Sequence, residues 1–145
     1  MGSRRSQVIA AFVLDASATL ACLLPDEQPT ALPPWADHVD TARIVVPPTW
    51  PIEVANGFIM AVRRKRIPAA SVAELAEPLS IWSIAIEAPN VVIAMKQIAV
   101  VARDHGLTAY DAAYLEIALR LRLPLVTLDR HLAKAAELAK ITLLE

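Results

Sequence analysis

The chain has 145 residues, of which 56% are apolar and 20% charged, and its formal charge is −1. That length fits one domain with a sizeable core, and the composition excludes a disordered chain; scarce Gly beside abundant Ala and Leu favours helices. The near-neutral balance excludes a surface that holds nucleic acid by bulk positive charge, so any such contact must come from a local patch or from metal ions.

Within one domain over 1–145, residues 1–7, beginning Met1-Gly2-Ser3, are expected to be disordered or left over from cloning. Arg4-Arg5 followed by the apolar run Val8–Leu14 has the outline of a signal peptide, but Asp15 ends the run too early to span a bilayer. Its β-branched content suits a buried strand over 8–14. A first helix over 16–24 stops at Pro25. The stretch 25–34, with Pro25, Pro29, Pro33 and Pro34, reads as a loop into a short helix at 35–41. Arg43–Val46 forms a second strand, cut off by Pro47-Pro48.

From Thr49 a helix runs to about Arg66 with Pro51 in its first turn, a favoured place for proline. Ile52, Val54, Ala55, Phe58, Ile59, Ala61 and Val62 make it apolar on nearly all sides, which predicts that most of it is buried. Residues 68–77 read as another helix and 79–86 as an extended segment. Pro89 opens a helix to His105 with Gly106 as its C-cap. Thr108 begins a helix over 109–121, 124–128 is a strand, 130–139 a helix, and 141–144 a last edge strand. Strands alternating with helices predict an α/β fold around a parallel sheet of four to five short strands, covered on both faces. Asp15 and Asp129 then stand just past the carboxyl ends of two strands, where open parallel sheets place ligand sites.

Asp15, Glu53, Asp111 and Asp129 each interrupt an apolar stretch, where an isolated carboxylate is costly to bury without a cation or hydrogen-bond donors. Plain helix capping is the competing account. Asp15 and Asp129 directly precede helices, and Thr108 to Asp111 has capping-box spacing, each cap contributing about 1 kcal/mol. Glu53 fits that account less well, because its helix lies in apolar surroundings; Asn56, three residues on, shares its face. Asp111 heads the stripe Leu115, Ala118, Arg122 and is expected to point inward.

Carboxylates gathered at one place raise one another's pKa unless a cation balances them. With the single Cys22 and only His38, His105 and His131 in the chain, there is little for a zinc site. Oxygen-only ligation selects a hard ion, Mg²⁺ or Mn²⁺, and the chemistry implied is phosphodiester hydrolysis. The lone cysteine also excludes an internal disulfide and makes a reducing cytoplasm the natural setting.

The four motifs and their order resemble the PIN-domain nucleases, specifically the VapC-type ribonuclease toxins. They are Val13-Leu14-Asp15-Ala16-Ser17, Trp50-Pro51-Ile52-Glu53-Val54-Ala55-Asn56, Leu107-Thr108-Ala109-Tyr110-Asp111-Ala112-Ala113-Tyr114 and Leu125-Val126-Thr127-Leu128-Asp129-Arg130. The likeness covers essentially the whole chain as one domain and implies a three-layer α/β/α fold. It implies an acidic pocket of Asp15, Glu53, Asp111 and Asp129 holding one or two Mg²⁺ or Mn²⁺ ions, with Ser17 and Thr127 as supporting hydroxyl donors and Asn56 beside Glu53. It further implies an RNA substrate, a homodimer, and a cognate antitoxin whose peptide blocks the pocket. The expected mechanism is attack of a metal-activated water on the scissile phosphorus, with Asp15, Glu53 and Asp111 near the ion and Asp129 acting through water. The alternative function is a non-catalytic PIN-like module that binds RNA or protein.

Arg63-Arg64-Lys65-Arg66 is the one dense basic run. A solvated helix C-terminus stabilised by the dipole is the commoner reason for such a run, and an RNA-backbone contact is the functional reading; Arg130 and His131, beside Asp129, are further candidates to approach phosphate. Trp35, Trp50 and Trp82 read as core or interface rather than base-stacking residues, Trp50 as core, and Cys22 as a small buried hydrophobe. The helices at 16–24 and 35–41 are possible dimer or antitoxin surfaces, with a core face as the default. Dehalogenase-type phosphatases want Asp-x-Asp after the first strand, where this chain has Ser17. A receiver domain wants a phosphoacceptor Asp after a central strand, a place that Glu53, inside a helix, does not fill.

Overall fold

In the computed structural model, which describes residues 8–28 and 33–145, the first apolar run forms strand β1 over Ala11–Leu14, with Phe12, Val13 and Leu14 fully buried. Val8 is exposed, so the strand starts three residues later than its hydrophobicity suggests. Residues 1–7, expected to be disordered or left over from cloning, and residues 29–32 of the loop expected over 25–34 lie outside the described residues. Helix α1 spans Ala16–Leu23, and a 3₁₀ turn at Pro34–His38 replaces the short helix expected at 35–41.

Strand β2 (Arg43–Val46) pairs parallel with β1 in the register Phe12↔Ile44, and β3 (Ser83–Ile86) pairs parallel with β2. Strand β4 is the two residues Leu125–Val126, parallel to the other edge of β1. The order is therefore β3-β2-β1-β4, with a single parallel bridge from Leu125 to Leu143 where a fifth strand was expected. The chain winds from β1 through β2 to β3 and then returns to the far side of β1. The crevice at the carboxyl ends of β1 and β4 is thus the switch point of the sheet, the usual ligand position in such folds.

Helix α2 spans Trp50–Arg63 and packs on α1. Only Trp50, Val54, Phe58 and Ala61 of it are buried, whereas Ile52 is 72% exposed and Ile59 47%. The expectation of a mostly buried helix is therefore wrong: one face meets the core, and its apolar residues continue round to solvent. Gly57 lies where α2 crosses α1, and a Cβ there would run into the Leu20 side chain.

The helix expected at 68–77 is broken into a 3₁₀ turn at Ala69–Ser71, helix α3 at Val72–Ala76 and another 3₁₀ turn at Glu77–Ser80, where Pro78 interrupts regular bonding. That second turn takes the first part of the segment read as extended, leaving only Ser83–Ile86 as strand. The helix after Pro89 starts as α4 (Val91–Ile93), capped by the Asn90 side chain on the Ile93 N–H at 2.9 Å. It passes through a π turn at Ala94–Ile98 and continues as α5 (Ala99–His105) to Gly106, whose left-handed φ of 64° ends it.

Helix α6 (Ala109–Leu121) lies across β1, β2 and β4 and is the most deeply packed helix, with Ala112, Tyr114, Leu115, Glu116, Ile117 and Ala118 buried. Helix α7 (Arg130–Leu138) packs on it. Trp35 meets Phe12 edge-on at 6.3 Å, and Trp50 is 4% exposed, so both are core residues; Trp82 is half-buried against that core.

Candidate active site

Asp15 is the first residue after β1 and is 4% exposed. It stands at the N-cap position of α1 yet its side chain accepts no capping bond from that helix. Instead Oδ2 accepts from Ser17 Oγ at 2.7 Å and from Thr127 Oγ1 at 2.6 Å. Capping does not account for this acid, and the two hydroxyls fix its orientation toward the sheet's switch point. Burial pushes its pKa up, and the hydroxyl bonds offset only part of that.

The backbone on either side is held as firmly. The Asp15 N–H donates to Val126 O at 2.9 Å, and the Asp15 carbonyl accepts from Thr19 Oγ1 at 3.0 Å. Thr19, fully buried, accepts in turn from Trp50 Nε1 at 3.2 Å, which links α1 to the first residue of α2. Those interactions place Glu53, one turn into α2, opposite Asp15.

Glu53 is half-buried and accepts from the Tyr114 hydroxyl at 3.3 Å. Its pKa is raised by burial and then by the charges of Asp15 and Asp111, against the nearby hydroxyls of Thr49 and Tyr114. The Thr49 hydroxyl is buried with no partner in hydrogen-bonding geometry, although it stands near Glu53. Tyr114 is fully buried; burial and the charges of Asp15 and Glu53 push its hydroxyl pKa far up, so it acts as a permanent donor.

Asp111 lies in the first turn of α6, where its N–H donates to the Thr108 hydroxyl at 3.2 Å. Its side chain is half-buried, and its pKa is raised by burial and by Asp129 and Asp15, with His131 acting in the opposite sense. Asp129 is a genuine cap of α7, its Oδ1 accepting from the Leu132 N–H at 2.8 Å, while its own N–H donates to Thr127 Oγ1 at 3.0 Å. Ser17 Oγ also accepts from the Leu128 N–H at 3.1 Å.

The fold thus brings Asp15 and Asp111 within reach of Glu53's charge, and Asp129 within reach of Asp111, with Ser17 and Thr127 bonded to Asp15, the most buried of the four. Asn56 lies on the exposed part of α2 and forms no side-chain hydrogen bond among the described residues. Among the described residues no three Asp, Glu, His or Cys side chains already close into a ligand set for a metal ion. That differs from the expectation of four acids meeting around one ion. The donor chemistry nevertheless fits Mg²⁺ or Mn²⁺, which bind through one or two carboxylates and keep several waters. Unbalanced carboxylates with raised pKa are the electrostatic complement of such an ion.

Of the basic run, Arg66 is committed elsewhere: its guanidinium donates to both Asp26 oxygens at 2.7 and 2.8 Å and reaches Glu27 at 3.5 Å. Arg66 is therefore withdrawn from the RNA-contact set, and it holds Asp26 below the usual carboxylate range. Arg63, Arg64 and Lys65 are exposed at the end of α2, and Arg130 is exposed at the start of α7. Tyr114, Thr49 and Thr19 escaped the sequence reading. For Tyr114 the signal was its place three residues after Asp111, on the same helix face. Thr19 and Thr49 carried none, since their roles arise where α1 meets α2.

The profile of the PIN domain family matches residues 12–138. The chain is 30% identical over 125 residues to Ribonuclease VapC3 of Pyrobaculum aerophilum, a match covering 84% of this chain and 92% of the relative. It also resembles the crystal structure of PAE2754 from Pyrobaculum aerophilum, with a TM-score of 0.63 and 26% identity, over 92% of this chain and 83% of that one.

Proposed function

The chain belongs to the PIN-domain family as a VapC-type ribonuclease, and we propose that it is an Mg²⁺- or Mn²⁺-dependent endoribonuclease acting as the toxin of a toxin–antitoxin pair. The observation that carries the catalytic reading is Asp15, buried at the carboxyl end of the central strand, held by two hydroxyls and close enough to Glu53 and Asp111 for its charge to add to the rise of both their pKa values. Asp15, Glu53 and Asp111 would hold the ion, with Asp129 acting through water. Such an ion, when bound, lowers the pKa of a water and neutralises charge on the phosphoryl oxygens.

The protein's own side chains supply orientation. Ser17 and Thr127 keep Asp15 in one rotamer, Tyr114 keeps Glu53 facing inward, and Thr108 fixes the turn that bears Asp111. An acidic pocket repels RNA phosphates, so bound cation strengthens substrate binding at this place, and without it RNA binds more weakly through its other contacts. Exposed Arg130, next to Asp129, supports an RNA-backbone contact beside it, and exposed Arg63, Arg64 and Lys65 support a further one at the far end of α2, about 15 Å from Glu53.

The exposed Ile52 and Ile59, seven residues apart on one face of α2, support a homodimer. A cognate antitoxin and a cytoplasmic setting complete the proposal. No helix among the described residues is long and apolar enough to cross a membrane. The test is cleavage of total RNA by the purified chain with Mg²⁺ or Mn²⁺, with EDTA, and with Asp15→Asn or Asp111→Asn. Cleavage is expected only with ion and wild-type acids, falling by roughly a hundredfold or more in each variant. RNA binding without ion-dependent cleavage assigns the chain to the non-catalytic module instead.

A further inference from the structure

Beside the acids, between the residues that follow β2 and β3 and the first turns of α6, lies a cavity of about 470 Å³. That volume is within the range of small-molecule sites, roughly 300–1,000 Å³. Pro47, Pro48, Met95, Ile98, Ala113 and Ile117 make its walls apolar. Two of its lining residues adjoin the catalytic acids: Thr49 stands near Glu53, and Tyr110 directly precedes Asp111. Tyr110 is 63% exposed, an aromatic ring at the rim.

The cavity's charged lining is two carboxylates. Glu116 is 3% exposed and paired with Arg120, whose Nε donates to Oε1 at 2.7 Å; the same guanidinium donates to Glu87 Oε2 at 3.4 Å. Glu87 Oε1 accepts no hydrogen bond among the described residues. Two carboxylates against one guanidinium leave a negative charge, which repels phosphate. Apolar walls with a free carboxylate oxygen suit a flat, neutral ring that carries N–H donors.

We propose that this cavity is a base subsite, taking an unpaired RNA base next to the phosphate at the acids, with Tyr110 stacked at its rim, and favouring bases with an exocyclic amine over uracil. The inference rests on the nuclease reading for its substrate class. Single-stranded RNA is read by stacking on aromatic rings and by hydrogen bonds to base edges. A carboxylate accepts from an exocyclic amine such as cytosine N4, whereas uracil presents a carbonyl oxygen there, facing the carboxylate acceptor to acceptor.

The experiment measures binding of the wild-type chain to fluorescently labelled oligo-adenylate, oligo-cytidylate and oligo-uridylate octamers by anisotropy in EDTA, so that affinity is read without cleavage. The adenylate and cytidylate octamers are expected to bind at least about fivefold tighter than the uridylate. Tyr110→Ala is expected to weaken all three by about tenfold. Glu87→Gln supplies an amide donor that uracil can accept, and should bring the three within about twofold. Ala113→Phe, which fills the cavity, should do the same, and Glu87→Gln keeps the test open if that larger change impairs folding. An unchanged spread in a folded Glu87→Gln variant overturns the subsite. So does conversion of a dimer to a monomer by Ala113→Phe with base preference intact, which gives the cavity to a second copy. Base preference in EDTA without any Mg²⁺- or Mn²⁺-dependent cleavage leaves the subsite standing and fails the nuclease reading alone.

Discussion

Thr127 donates its hydroxyl to Asp15 Oδ2 at 2.6 Å, across the boundary between the two strands that end at the site. Thr127 Oγ1 in turn accepts the Asp129 N–H at 3.0 Å, so the hydroxyl both donates and accepts. One side chain therefore fixes the rotamer of the most buried acid and the entry of the chain into α7.

Thr127→Val keeps the shape and removes both bonds. It leaves one Asp15 oxygen with Ser17 alone and the Asp129 N–H without its partner, which should cost about 1–3 kcal/mol of stability. Cleavage should fall by an order of magnitude or so because Asp15 loses its fixed direction. Urea denaturation and turnover of one RNA check both, and Thr127→Ser should recover most of each. Recovery of stability without recovery of turnover would separate the strand tie from the chemistry.

Asp15, Glu53 and Asp111 all have raised pKa values, caused first by burial and, for Glu53 and Asp111, also by neighbouring carboxylates. For an acid whose folded pKa lies above its unfolded value, the folded state binds the extra proton. Stability from these groups is therefore highest below the ordinary values of 3.8 and 4.5, falls as pH rises through the raised ones, and stays low above them. Asp15→Asn, which keeps an acceptor for Ser17 and Thr127, should be more stable than wild type at pH 8 in EDTA. The gap should narrow toward pH 5. Mg²⁺ or Mn²⁺ should raise the Tm of wild type at pH 8 and act less on Asp15→Asn. A wild type that is the more stable of the two at pH 8 without ions contradicts the electrostatic account.

Much of this was legible because local chemistry and tertiary packing agree. Hydrophobic runs gave β1 and β2, Thr108 gave the start of α6, and Gly106 gave the end of α5, since each signal acts within a few residues. The acids were conspicuous because they break apolar stretches. Local reasoning could not tell which of them cap: Asp129 caps its helix and Asp15 does not, and the difference lies in Ser17 and Thr127, the latter far away in the chain. It likewise predicted most of α2 as buried, because apolar composition does not tell whether a second surface exists to cover Ile52 and Ile59. Arg66 was read as free because its partner Asp26 lies forty residues earlier.

Gly57 tests the contact that positions Glu53. A methyl group there collides with the flexible Leu20 side chain, so α2 must lift or Leu20 must leave its rotamer. Gly57→Ala should destabilise the protein by about 1–3 kcal/mol despite the better helix propensity of Ala. Turnover should fall too, since Glu53 rides on the same helix one turn earlier. Adding Leu20→Ala relieves the collision, so the double variant should be more stable than the sum of the single changes implies, a coupling that a double-mutant cycle measures directly. Strict additivity would show that the two helices do not meet as described.

Asp129 combines two roles that substitution can divide. Its Oδ1 caps α7 through the Leu132 N–H, and its charge helps to raise the pKa of Asp111. Asn caps helices about as well as Asp, so Asp129→Asn should change stability by only a few tenths of a kcal/mol, whereas Asp129→Ala should cost about 1 kcal/mol. Both variants remove the charge, so in both the Asp111 pKa should move down toward its ordinary range, as followed by carboxyl NMR titration. If the carboxylate serves the reaction through water, Asp129→Asn and Asp129→Ala should lose activity to a similar degree despite their different stabilities. Wild-type turnover in Asp129→Asn would instead leave Asp129 with capping alone and confine the reactive cluster to Asp15, Glu53 and Asp111.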